Sequence, residues 1–151
     1  MTTRTCAALL LAATALLAKQ DLTGSWSMVA DKSDFGQLPA PTSIERVIDH
    51  KDPEISVKTT QAGAQGEVKT DYHYTTDGKE FTQTTRFGEL KGTANWEGEE
   101  LVVKTKRQLQ GGEISTVERW KLNDGGKALV VNSQITTPQG EFKYTIHFEK
   151  K

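Results

Sequence analysis

The chain has 151 residues, enough for one domain with its own hydrophobic core. Its 19 basic and 20 acidic residues give a formal net charge of −1, and the two signs alternate along the chain. Dispersed charge of this kind lacks the concentrated positive patch of a nucleic-acid or membrane-surface footprint, so no nucleic-acid partner is expected.

The first element reads as a leader. Arg4 supplies a basic start, and "CAALLLAATALLA" (residues 6–18) is an apolar run too short to span a bilayer as a helix. This is the layout of a secretory signal peptide. Two cleavage points compete: Ala13-Thr14-Ala15 fits the small-x-small rule, whereas cutting after Ala18 keeps Leu16 and Leu17 off the new terminus. The expectation is a signal peptide over residues 1–18 and a mature domain over 19–151, secreted or periplasmic and monomeric. Cys6, the only cysteine, stands at the start of the apolar run instead of its end, so no lipid anchor is indicated. The mature chain would hold no cysteine, and its stability would come from packing, without disulfides. Without Arg4 it carries 18 basic against 20 acidic residues, a net charge of −2. No later segment is apolar enough to cross a membrane.

From residue 22 onward apolar residues recur at every second position, and Thr, Val, Ile, Tyr and Phe fill the segments. Strands are predicted over 22–30, 43–49, 54–61, 67–75, 79–87, 90–96, 100–109, 113–122, 127–137 and 141–149. Asp77-Gly78 and Asp124-Gly125 are hairpin signals, because such turns need a positive φ that glycine adopts freely. Every connection but the first is short, which forces neighbouring strands to be antiparallel. The exception, "DKSDFGQLPAPTS", contains Gly36, Pro39 and Pro41 and has room for one turn at most, near Ser33 to Phe35. The fold class is therefore all-β, an up-and-down antiparallel β-barrel of about eight to ten strands. Closure would remove the two bare edges of such a meander. A two-sheet sandwich is the alternative. In the last strand Phe142, Tyr144, Ile146 and Phe148 share one face, which gives a barrel wall with one dry side.

"GSWSMVADKSDFG" opens with Gly24-x-Trp26 followed by a Ser-x-x-Phe, and "TIHFEK" closes the chain. These two ends resemble the calycins, the group that holds lipocalins, fatty-acid-binding proteins and avidins, and are most similar to the fatty-acid-binding branch. The resemblance implies that Gly24 lets the chain turn into the first strand and that Trp26 plugs the barrel end. It implies binding of a small molecule in the barrel. Two departures stand out. The Arg-x-Tyr that clamps a fatty-acid carboxylate in that branch is replaced by Ile146 and Phe148, and the helical pair over the mouth is missing. The expected lipocalin-like partner is thus a small, largely apolar or amphipathic molecule, held noncovalently by other residues.

Apolar parity places several polar residues inside. Thr105 and Arg107 alternate with Leu101, Val103 and Leu109, and Arg46 lies between Ile44 and Ile48. Glu118 lies between Ile114 and Trp120, Tyr72 and Tyr74 share a face, and Gln83 runs with Phe81 and Phe87. Charges in an apolar interior are paired, hydrated or functional. The candidate ligand-binding set is Arg46, Tyr72, Tyr74, Arg107, Glu118 and Trp120, with the arginines facing an anionic or polar group. Two alternatives stay open: Glu118 pairs with an arginine across the barrel, or a bulge reverses the parity near a rim.

Catalytic chemistry is not indicated. His50, His73 and His147 form no metal-ligand spacing, and no serine stands in a Gly-x-Ser-x-Gly elbow. Asp71 and His73 read as an outward pair, and Glu97, Glu99 and Glu100 as solvated turn carboxylates. No metal, cofactor or enzyme activity is expected. A ligand-free barrel acting through its surface in the envelope is the competing function. A centre filled by Trp26, Trp96 and Trp120 would favour it.

Overall fold

The computed structural model describes residues 19–151, so the predicted signal peptide and its cleavage point lie outside the described residues. Ten strands follow in chain order: β1 (Gly24–Met28), β2 (Ser43–Lys51), β3 (Glu54–Gly63), β4 (Gly66–Thr75) and β5 (Phe81–Thr85). The second half adds β6 (Gly88–Glu97), β7 (Glu100–Leu109), β8 (Gly112–Asn123), β9 (Ala128–Thr137) and β10 (Gly140–Lys150). They form one antiparallel sheet in the order β4-β3-β2-β1-β10-β9-β8-β7-β6-β5. Pairing of β1 with β10, where Met28 faces Phe148, wraps the meander round on itself. The result is a nearly closed up-and-down barrel, not a sandwich.

The wall remains unladdered at one place, between β4 and β5. Gln83 bridges it: its Oε1 accepts the His73 backbone N–H at 3.0 Å and its Nε2 donates to the Asp71 carbonyl at 2.6 Å. One amide side chain thus stands in for a rung of the ladder. Below it the Tyr74 and Phe81 rings meet at 4.9 Å between centroids. Gly92 makes room for this contact, because a Cβ there would run into the Lys104 carbonyl and stand 3.0 Å from the Phe81 ring.

One end of the barrel is filled. Trp26, Trp120, Phe148, Leu22, Leu101 and Leu129 are all essentially inaccessible to solvent. The Trp26 indole N–H donates to the Leu22 carbonyl at 3.0 Å, which satisfies the one polar atom of that ring. Gly24 has φ +154°, and a Cβ there would lie 2.6 Å from Lys150 Cε, whose ammonium sits over the Trp26 ring at 5.4 Å. The N-terminal segment is pinned beside this plug. His50 Nδ1 accepts the Leu22 N–H at 3.3 Å, and Asp52 accepts from Lys19 at 2.7 Å, the Trp96 indole at 3.1 Å and the Thr76 hydroxyl.

The other end is the mouth. The β1–β2 link crosses it, tied by an Asp34–Thr145 bridge and by Phe35 stacking on Tyr144 at 6.0 Å. Its single 3₁₀ turn spans Ala30–Lys32, three residues earlier than the Ser33–Phe35 expectation, because Asp34 is drawn into pairing with β10. Three inward assignments also shift. Phe87 and Leu109 stand 39% and 41% exposed, since both lie where a hairpin overshoots the wall. Gln83 is spent on the β4–β5 gap, whereas Trp96 packs against the core and turns its indole N–H to Asp52.

Asp52 predicts a pH dependence. Desolvation pushes its carboxyl up, but hydrogen bonds from Lys19, Thr76, Trp96 and His50 outweigh this and hold it well below the usual carboxylate range. A carboxylate lowered in the folded state stabilises above its unfolded value, 3.8, and that contribution is lost as pH falls through the folded value. Asp52→Asn should cost about 1–2 kcal/mol at pH 7 in denaturant titrations, allowing for the partial exposure of the site. The deficit should shrink progressively below pH 4; a deficit that is constant from pH 7 to pH 2.5 would contradict this role.

Candidate functional site

Two cavities open inside the barrel, and Tyr144 of β10 borders both. The first, about 190 Å³, sets the polar groups of Tyr72, Tyr74, Thr105, Arg107, Thr116 and Glu118 among the apolar side chains of Leu90, Val103 and Ile114. The second, about 270 Å³, lies under the mouth link and is mainly apolar, with Phe35, Leu38, Ile44, Ile135 and Ile146 around the Arg46 side chain. Strand register explains the division. Val103, Glu118, Ser133 and Tyr144 are successive cross-strand partners on β7, β8, β9 and β10, so they form one inward row at a single level.

Arg46 is 9% exposed, with its guanidinium over the Trp120 ring at 4.9 Å and the Phe148 ring at 5.1 Å. Its Nε and Nη1 have no hydrogen-bond partner. Arg107 donates from Nη2 to the Tyr72 hydroxyl at 3.1 Å and lies over Phe87 at 5.5 Å, while its Nε is also without a partner. Among the described residues neither arginine forms an ion pair within 4.0 Å. Glu118 instead accepts the Trp120 indole N–H at 2.7 Å. The alternative in which Glu118 neutralises an arginine across the barrel is not what the structure shows.

The structure therefore brings all six sequence-derived candidates to the interior. Arg107, Glu118, Tyr72 and Tyr74 line the polar cavity, Arg46 lines the apolar one, and Trp120 lies between as the surface on which Arg46 stacks and as donor to Glu118. Gly24 and Trp26 form the plug at the far end. Tyr144 also belongs to the interior surface, and Ser133 is buried beside it in the same row. Ser133 is 5% exposed, and its hydroxyl lies beside that of its cross-strand partner Tyr144. The alternating pattern of β10 already put Tyr144 inside, but nothing in "VVNSQI" distinguishes Ser133 from any inward serine. Outside the barrel, Asp71 and His73 form the exposed pair anticipated for them, 3.3 Å apart, and Glu97 and Glu100 hold Arg119.

A ten-strand up-and-down barrel with a tryptophan plug and an interior cavity is a calycin fold. No family model and no curated protein matches the sequence, but solved structures match the fold. A secretory abundant heat-soluble protein from Ramazzottius varieornatus superposes with a TM-score of 0.66 at 14% identity, covering 89% of this chain and 98% of that one. The zebrafish ileal bile acid-binding protein, solved with cholic acid, gives 0.55 at 16% identity over 86% of this chain and 98% of that one. Human cRBP IV gives 0.53 at 15% identity, covering 87% and 99%.

Burial pushes the Tyr144 phenol up to about 12, and the nearby Glu118 charge adds to this against the opposing Ser133 hydroxyl and Arg46. Burial likewise holds Tyr74 well above the ordinary phenol value. In an absorbance titration Glu118→Gln should lower the Tyr144 transition, because removing a negative charge eases formation of a second. An unchanged transition would show that Glu118 does not face the phenol.

Proposed function

We propose that the protein binds one small amphipathic molecule inside the barrel, noncovalently and without turnover. The observation that carries this reading is the pair of lumen guanidiniums with unpartnered N–H groups. Two arginines and Glu118 leave the interior with a single excess positive charge, which one acidic group on a ligand balances. The unpaired arginine donors favour such a group through charge-assisted hydrogen bonds, and the apolar cavity under the link receives the rest of the molecule. Burial of the apolar part supplies most of the affinity and the arginines set orientation. The clamp thus sits on β2 and β7, not on β10, where Ile146 and Phe148 have no hydrogen bond to offer. The bile acid-binding neighbour, solved with cholic acid, shows that a barrel of this outline accommodates an amphipathic acid in that protein. Export, with removal of residues 1–18, is part of the same reading and rests on the sequence layout of the leader.

The test is a comparison of decanoate with the neutral 1-decanol, each displacing a fluorescent apolar dye. Arg107→Ala and the volume-conserving Arg46→Met should each weaken decanoate about tenfold or more while changing 1-decanol less than about threefold. Retention of full decanoate affinity in both variants would refute the assignment of the acid group to the arginines.

A further inference from the structure

The mouth of the barrel has two unlike halves. The β1–β2 link covers the half above Arg46, where Phe35, Leu38, Pro39 and Pro41 border the cavity. That cover is tied down, because Asp34 and Thr145 exchange backbone hydrogen bonds of 2.9 and 2.7 Å. No link residue borders the other cavity, which holds Arg107 and Glu118. Beside Arg107 stands the tip of the β5–β6 hairpin, Arg86 and Phe87.

At that tip two guanidiniums share one ring: Arg86 lies over Phe87 at 4.5 Å and Arg107 at 5.5 Å. Arg86 is exposed and, among the described residues, forms no ion pair within 4.0 Å. Glu89, the acid nearest to it in sequence, is taken by Lys91 at 3.3 Å. Thr85 pins the turn backbone, its hydroxyl accepting the Phe87 N–H at 3.1 Å and donating to the Gly88 carbonyl at 2.7 Å. The Phe87 ring is itself exposed, so it is free to turn aside about χ1 while the backbone stays fixed. Two cations flanking one ring, neither neutralised by an acid, attract an anion to the tip.

We propose that Arg86 is the first station of the acidic ligand: it draws the acid group to the rim, and Phe87 is the side-chain gate across which that group passes to Arg107. This rests on the binding reading above and adds its route of entry. Leu109, exposed on the adjoining β7–β8 hairpin, offers the apolar part a contact at the same rim. Arg86 is a positioning residue that acts in transit, stabilising the approach and not the seated complex. It therefore speeds arrival and departure alike and leaves affinity unchanged.

Stopped-flow tryptophan fluorescence on the full mature chain follows entry of decanoate and of 1-decanol, with Trp120 against Arg46 as the internal reporter. At about 10 mM ionic strength Arg86→Gln should slow decanoate association and dissociation alike by about fivefold, with Kd within about twofold of wild type. At about 150 mM the slowing should fall below about twofold, and 1-decanol rates should not change at either salt. Lys127→Gln removes the same charge from the closed end, between β8 and β9, and should leave all rates as they are. Phe87→Ala should speed entry and exit of 1-decanol about threefold, because a neutral ligand meets only the ring. Unchanged 1-decanol rates in that variant overturn the gate. Decanoate rates that Arg86→Gln slows no more than Lys127→Gln does overturn the proposal and leave the acid-binding reading intact. A rise in Kd carried by faster dissociation overturns it too, because Arg86 then holds the seated acid. Failure of decanoate to bind wild-type protein overturns the two readings together.

Discussion

Arg46 places a guanidinium inside an almost sealed barrel, stacked on Trp120 and Phe148, with two of its nitrogens unpartnered. Burying a cation costs several kcal/mol even after relaxation, and stacking on aromatic faces returns only about 2 kcal/mol. The remainder is a standing cost, one that the proposed acidic ligand would reduce. Most of the interior makes sense as a response to that cost. Glu118 supplies one balancing charge but is turned to the Trp120 indole and not to either arginine. Two guanidiniums against one carboxylate therefore leave the lumen with one excess positive charge.

The cost persists because the rest of the fold over-determines the wall. The plug of Trp26, Leu22 and Phe148 anchors the filled end, and the His50–Asp52 cluster fixes the N-terminal segment against it. Pairing of β1 with β10 closes most of the circumference, and Gln83 spans what the ladder leaves open. With the closed end packed solid by the described residues, the interior space opens on either side of Tyr144. The shape follows from where the large aromatics fall in the strands. Trp26, Trp120 and Phe148 lie in the same half of the barrel, whereas inward positions of the other half are filled by Tyr, Thr, Ile and Arg.

Alternation is a strong signal in β-structure, and it carried the architecture here. The strand order, the closure and the inward parity of Arg46, Arg107 and Glu118 were all legible from period-two patterning and short turns. What parity does not carry is depth and partner. Leu109 and Phe87 obey the inward pattern yet project past the wall, because hairpins of unequal length overshoot the rim. Gln83 obeys it too, but is diverted by an unpaired backbone edge that exists only once the sheet curls. Glu118 could pair with an arginine or with an indole, and the choice depends on cross-barrel distances. Ser133 and the Asp52 cluster are assembled from residues far apart in sequence, so no local motif announces them. The likeness to the calycins was concentrated at the two chain ends, which form the plug and the closing strand.

The central claim is that the lumen of this barrel is an anion-selective cavity. Native mass spectrometry of the protein recovered without denaturation from the cells that make it tests this most directly, because the ligand is then chosen by the protein and not by the experimenter. The account predicts a single additional mass of a few hundred daltons, released as a singly acidic, largely apolar compound. A bare protein peak, with no adduct formed after incubation with amphipathic acids, would contradict it.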